Sequence, residues 1–108
     1  MNIRKERIKE EIMHLASRFL LEVSNRSSFL TVTKVEMSND KKNAMIFFTV
    51  FPDSEERNAL QFAKRKRSDF KKFIREKSKI IRIPHIDFSI DVGEKNRQKI
   101  DSIMNTEN

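Results

Sequence analysis

The sequence predicts an α+β fold, a two-layer sandwich with helices on the apolar face of a three-stranded sheet. Three observations predict it. Apolar residues recur at helical spacing near the start, two β-rich runs follow across a polar loop, and an alternating run follows the second proline. The implied order is α-β-β-α-α-β-α.

Ile8, Ile12, Leu15, Ala16, Phe19 and Val23 recur at spacings of three and four between charged residues, which predicts one amphipathic helix over about residues 3–25. The polar stretch Ser24 to Ser28 ends it. Phe29 to Met37 is rich in Thr and Val and reads as a strand, and Ala44 to Phe51 reads as another. The polar loop from Ser38 to Asn43 makes an antiparallel hairpin the simplest connection. Pro52 stops the second strand, and Asp53 or Ser54 is placed to cap a helix whose Glu55 and Glu56 suit an N-terminus. Ala59, Leu60 and Ala63 carry that helix's stripe until Lys66 and Arg67 interrupt it, and Phe70, Phe73 and Ile74 resume it. Two helices meeting at a kink fit this break, with Ser68 or Asp69 as the cap of the second. Beyond Pro84, Ile86, Phe88, Ile90 and Val92 alternate with Asp87, Ser89 and Asp91 as a third strand. Gly93 then turns the chain into a short helix with Ile100, Ile103 and Met104 inward, and residues 105–108 are expected to fray, leaving a single domain over 1–104.

Composition narrows the function classes. Lys and Arg number 23 against 16 Asp and Glu, a net charge of +7, so an anionic partner is favoured. Cysteine is absent, which excludes disulfides and thiol chemistry and fits a reducing compartment. No apolar run approaches the roughly 18 residues of a membrane span, and the charged N-terminal segment lacks a signal sequence's apolar centre. Glu6, Glu10 and Glu11 also argue against a mitochondrial presequence, so a cytoplasmic protein is expected.

The charge is concentrated. Between Lys64 and Arg82 stand ten basic residues against Asp69 and Glu76, a local net of +8, which leaves the remainder of the chain at −1. A solvated helix face explains part of such a run, but charge added for solubility would be spread along the chain. Lys64, Arg65, Lys66, Arg67, Lys71, Lys72, Arg75, Lys79 and Arg82 are therefore the candidate contacts to a phosphate backbone. A basic helix can instead lie on an anionic membrane with Phe62, Phe70 and Phe73 inserted, yet those aromatics are the residues available to bury the helix pair on the sheet. Of the nine Phe, Phe48 and Phe51 on the second strand are the least committed to a core, which leaves base stacking or a docked protein on the open sheet face as alternatives.

Catalytic chemistry finds no constellation. One glycine excludes a P-loop and a dinucleotide fingerprint, and no zinc-binding HExxH pattern occurs. His14 and His85 are far apart and read as surface residues. Asp87 and Asp91 share a strand face but stand roughly 13 Å apart, too far for one metal ion, so both read as solvated outer-face residues. Neither enzymatic activity, nor a metal, a cofactor or a small-molecule substrate is expected.

Three segments resemble the ribosome-binding factor A family. Leu30 to Asp40 followed by Ala44 to Val50 is similar to that family's first hairpin in pattern and loop length. Pro84, Ile86, Phe88 and Asp91 match its Pro-x-Leu-x-Phe-x-x-Asp run, and the first helix with Arg4 and Arg7 stands at the matching distance. The resemblance implies a type II KH-like domain with a mixed sheet in the order second, first, third, the first and third strands being parallel. It implies a monomer that binds the small ribosomal subunit and its rRNA and assists late maturation; a KH-like protein with another RNA target is the alternative. Family members carry an Ala-x-Gly kink between the two helices where this chain has Arg67, Ser68 and Asp69. Without glycine, backbone approach to phosphate is blocked, so contact through side chains is implied.

Overall fold

In the computed structural model, which describes residues 3–24 and 27–106 and only the backbone of 102–106, the first apolar stripe forms α1 (Ile3–Val23). Ile12, Leu15, Ala16, Phe19 and Leu20 are buried on one face, while Arg4, Glu10, Glu11 and Arg18 are exposed. Of the polar stretch read as the helix stop, Asn25 and Arg26 lie outside the described residues.

The hairpin pairs β1 (Phe29–Met37) antiparallel with β2 (Asn43–Phe51). Between them Asp40 Oδ1 accepts from the Ser38 hydroxyl at 2.6 Å and from the Lys42 N–H at 3.0 Å. Lys41 takes the left-handed conformation the tight turn requires, with φ 63°. Val32, Val35 and Met37 are all buried, a spacing that breaks the period of two because Thr33 is an extra residue between Val32↔Phe48 and Lys34↔Phe47. This bulge frees the Thr33 side chain to reach across the sheet.

β3 (His85–Ile90) pairs parallel with β2, so the order is β1-β2-β3. The order second, first, third implied by the resemblance is therefore corrected: β2 is central and is itself the parallel partner. The reason lies in coverage. β2 buries Ala44, Ile46, Phe48 and Val50 toward the helices and Thr49 on the opposite face, whereas β1 exposes Thr31, Lys34 and Glu36. A strand buried on its helix side and largely half-buried on the other belongs in the middle.

A 3-10 turn (Asp53–Glu55) leads from β2 into α2 (Glu56–Arg65), and α3 (Arg67–Lys77) follows. The capping expected from Asp53 or Ser54 is absent: Glu55 occupies the N-cap without a side-chain bond, because the turn already winds those residues. α4 (Val92–Thr106) is longer than expected and starts before Gly93, whose φ is not positive. Its first-turn amide of Glu94 donates to Asp91 Oδ1 at 3.0 Å, so the strand yields to a capped helix at Asp91 and Val92 is left 61% exposed. Ile100, expected inward, is 57% exposed; the side chains of Ile103 and Met104 lie outside the described residues. Ion pairs hold this helix instead, Lys95 to Glu56 at 2.9 Å and Lys99 to Asp53 at 3.1 Å. Asn105 and Thr106 are helical, and Glu107 and Asn108 fall outside the described residues.

Candidate nucleic-acid interface

The basic helix pair is held on the sheet by a chain of aromatic rings. Phe19 of α1 packs against Phe70 at 5.2 Å and Phe73 at 5.4 Å, Phe70 reaches Phe88 at 6.0 Å, and Phe88 meets Phe48 edge-on at 6.2 Å. Phe70, Phe73 and Ile74 are the buried stripe of α3, and the small Ala59 and Ala63 let α2 approach closely. Each fully buried Phe contributes up to about 3 kcal/mol. Spending Phe70 and Phe73 on the core leaves them no membrane-inserting face, and no described helix is long and apolar enough to cross a membrane.

The kink sits at Lys66, one residue before the predicted Arg67, Ser68 and Asp69. Lys66 has φ −93° and ψ 8°, its N–H donates to Phe62 O and Ala63 O, and its carbonyl accepts from Phe70 N–H at 2.9 Å. Ser68 and Asp69 make no cap bond, contrary to expectation, because both already lie in the first helical turn of α3. The Arg67 Nε instead donates to Lys64 O at 3.0 Å, satisfying a carbonyl at the end of α2.

The nine predicted cations separate into two groups. Arg65, Lys72, Arg75, Lys79 and Arg82 are exposed, Lys71 is half-buried, and none of the six forms an ion pair with a described residue. On α3, Lys72 and Arg75 lie opposite the buried stripe, with Lys71 beside it. Lys66 lies over the Phe62 ring and 3.7 Å from Asp69. Lys64 and Arg67 turn inward to Asp87 of β3, at 3.2 and 3.3 Å. Lys77, also exposed on α3, was not among the nine and adds to the same charge.

Asp87 and Asp91 are thus both engaged, which corrects their reading as solvated outer-face residues. Burial pushes the Asp87 carboxyl up, but the Phe88 N–H together with Lys64 and Arg67 outweighs it and leaves the carboxyl below its ordinary value. Asp91 is only 8% exposed and accepts the Thr33 hydroxyl at 2.6 Å; that bond, then the Glu94 amide, lowers its pKa. The sequence held one signal for this, the Val32-to-Val35 spacing that marks the bulge carrying Thr33. Among the described residues no cluster of His, Asp and Glu is placed to hold a metal ion. His14 and His85 are exposed.

Phe48, expected to be uncommitted, is fully buried, since β2 is central and residue 48 points to the helices. Phe51 is 70% exposed, and its cross-strand neighbour Phe29 is 75% exposed. That pair lies far from the kink: Met45, not Phe51, is the β2 residue beside Asp87, so about 20 Å of strand separates them.

The model of the ribosome-binding factor A family matches residues 4–104. The chain belongs to that family. A ribosome-binding factor A from Coprothermobacter proteolyticus is 31% identical over 91 residues, covering 82% of this chain and 66% of that protein. The crystal structure of ribosome-binding factor A from Thermus thermophilus superposes with a TM-score of 0.71 at 17% identity, covering 80% of this chain and 93% of that one. A Thermus thermophilus homology model fitted into the cryo-electron-microscopy map of a 30S complex gives 0.66 at 18% identity, over 75% and 88% of the two chains. This chain thus has the fold of those structures.

Proposed function

We propose that this protein is a non-enzymatic assembly factor that binds the free 30S subunit in the cytoplasm, as a monomer, and assists late 16S rRNA processing. The observation that carries the reading is the set of six exposed or half-exposed cations, on α2, α3 and the segment leading to β3, that form no ion pair with a described residue, in a chain of the ribosome-binding factor A family. The 30S complex of the Thermus thermophilus relative supports the small subunit as partner. In this reading Arg65, Lys66, Lys71, Lys72, Arg75, Lys79 and Arg82 grip the rRNA backbone, and the domain over residues 1–104 acts as one rigid support. Affinity is then largely electrostatic and falls steeply with salt.

Sedimentation of cell lysate on sucrose gradients, probed for this protein at low and moderate salt, tests it. Comigration with free small subunits, absence from translating ribosomes and loss at moderate salt are expected. A protein that stays at the top of the gradient at every salt refutes it.

A further inference from the structure

Three donors from three separate elements converge on a single oxygen. Asp87 Oδ1 accepts from Lys64 Nζ at the end of α2 at 3.2 Å, from Arg67 Nη1 at the start of α3 at 3.3 Å, and from the Phe88 N–H of β3 at 2.8 Å. The amide is available because β3 is an edge strand. His85 N–H donates to Lys42 O and Asp91 N–H to Phe48 O, so the odd residues turn their amides to the β2 side and Phe88 turns its own to the uncovered edge. Two cations and an edge amide aimed at one point are what a phosphate oxygen needs. The Arg67 Nε bond to Lys64 O fixes the guanidinium from behind, so its aim does not depend on Asp87 alone.

We propose that Asp87 is an internal stand-in for a backbone phosphate, and that Lys64, Arg67 and the Phe88 amide form a phosphate site which RNA enters by displacing the carboxylate. The inference rests on the reading of the helix pair as the RNA grip. Exchange needs no repacking, since the side chains of Lys64, Arg67 and Asp87 are 43%, 42% and 30% exposed. It is also neutral in charge, one carboxylate replaced by one phosphodiester. Ion pairs at such half-exposed positions are weak, so a phosphate competes readily with the carboxylate for Lys64 and Arg67. The Arg97 pairs with Glu94 and Asp101 differ in kind, because all three residues lie on α4 and draw no second element to the site.

The test measures affinity for purified small ribosomal subunits against salt for the wild type and Asp87→Asn. Removing the competing charge should tighten binding about three- to tenfold near 0.1 M salt, since a phosphate then meets Lys64 and Arg67 without displacing a carboxylate. Equal or weaker binding by a variant with wild-type thermal stability overturns the inference and makes Asp87 a fixed clamp of the kink. A second measurement needs no variant. On adding a short single-stranded RNA of small-subunit rRNA sequence to the wild type, the NMR signals of the Phe88 amide and Arg67 Nε–H should move together with those of α3. Movement of α3 signals alone defeats the phosphate site and leaves the RNA grip standing, whereas no binding by the wild type at any salt defeats both.

Discussion

Replacing Asp91 by Ala should be among the more damaging changes outside the apolar core. One carboxylate there ties three strands to a helix: it accepts the Thr33 hydroxyl of the β1 bulge at 2.6 Å, that hydroxyl also reaches Phe47 O of β2 at 3.3 Å, and the other carboxylate oxygen caps α4 through the Glu94 amide at 3.0 Å. Loss of an N-cap costs about 1 kcal/mol, and loss of a hydrogen bond to a charged acceptor about 1.5–3 kcal/mol. Thr33 keeps its carbonyl partner, so the sum is about 2–3 kcal/mol, or about 10–20 °C in Tm for a domain of this size. Solvent recovers little of it, since Asp91 is 8% exposed. Asp91→Asn keeps one acceptor oxygen for the Glu94 amide, and its Nδ2 can donate to Thr33 Oγ1 while that hydroxyl donates to Phe47 O, so it should lose less than about 1 kcal/mol.

The pH dependence follows from the same bonds. The Thr33 hydroxyl and then the Glu94 amide hold the Asp91 carboxyl below its ordinary 3.8. A depressed folded-state value means that the contribution is complete above the unfolded value and is lost as pH falls through the folded one. Wild-type stability should therefore fall more steeply than that of Asp91→Asn below about pH 4. Thermal unfolding followed by circular dichroism at neutral and acid pH measures both effects. A Tm loss under about 3 °C for Asp91→Ala, or an equal loss for Asp91→Asn, would refute the reasoning.

The charge reversal Lys72→Glu with Arg75→Glu, at exposed positions opposite the buried stripe, should leave Tm within a few degrees, weaken binding to small subunits at least about tenfold and flatten the salt slope by about 1.5; unchanged comigration on gradients would count against the helix pair as the grip. Lys41→Gly relieves the left-handed conformation at φ 63° and should raise stability by about 0.5 kcal/mol, read as a higher urea midpoint. Ser68→Ala with Asp69→Ala should change unfolding free energy by less than about 0.5 kcal/mol, since neither side chain caps α3; a loss above about 1 kcal/mol would restore the capping role that the sequence suggests.

Patterns whose period comes from one element are visible in the sequence. The spacing of Ile12, Leu15, Ala16 and Phe19, the alternation through Ile86 and Phe88, and the stripe broken at Lys66 each report a local periodicity, and each element stands within a few residues of its expected place. Sheet order is not local. The resemblance implied a central β1, yet the nearly unbroken apolar run from Ala44 to Phe51 carries the physical signal of an inner strand, and the same signal explains why Phe48 is core. The nine cations were found from charge density, but charge density cannot tell Arg75, which is exposed, from Arg67, which turns to a carboxylate 20 residues away. Pairing across that distance is a property of the folded kink.

The kink also decides what kind of grip is available. A helix that begins freely offers its first amides and the positive end of its dipole to an anion. α3 does not begin freely: a single residue, Lys66, separates it from the end of α2, and the carbonyl end of one helix thus lies against the amide end of the other. Asp69 in the first turn of α3 adds a negative charge at the same place, which Lys66 partly offsets from 3.7 Å. A phosphate therefore gains little from the helix terminus, and attraction must come from the long side chains of α2, α3 and the segment leading to β3. Such side chains position a backbone without reading bases. Under the proposed function, selection among rRNA segments on this surface then depends on the spacing of its cations, which Phe70 and Phe73 fix by anchoring α3 to the aromatic core.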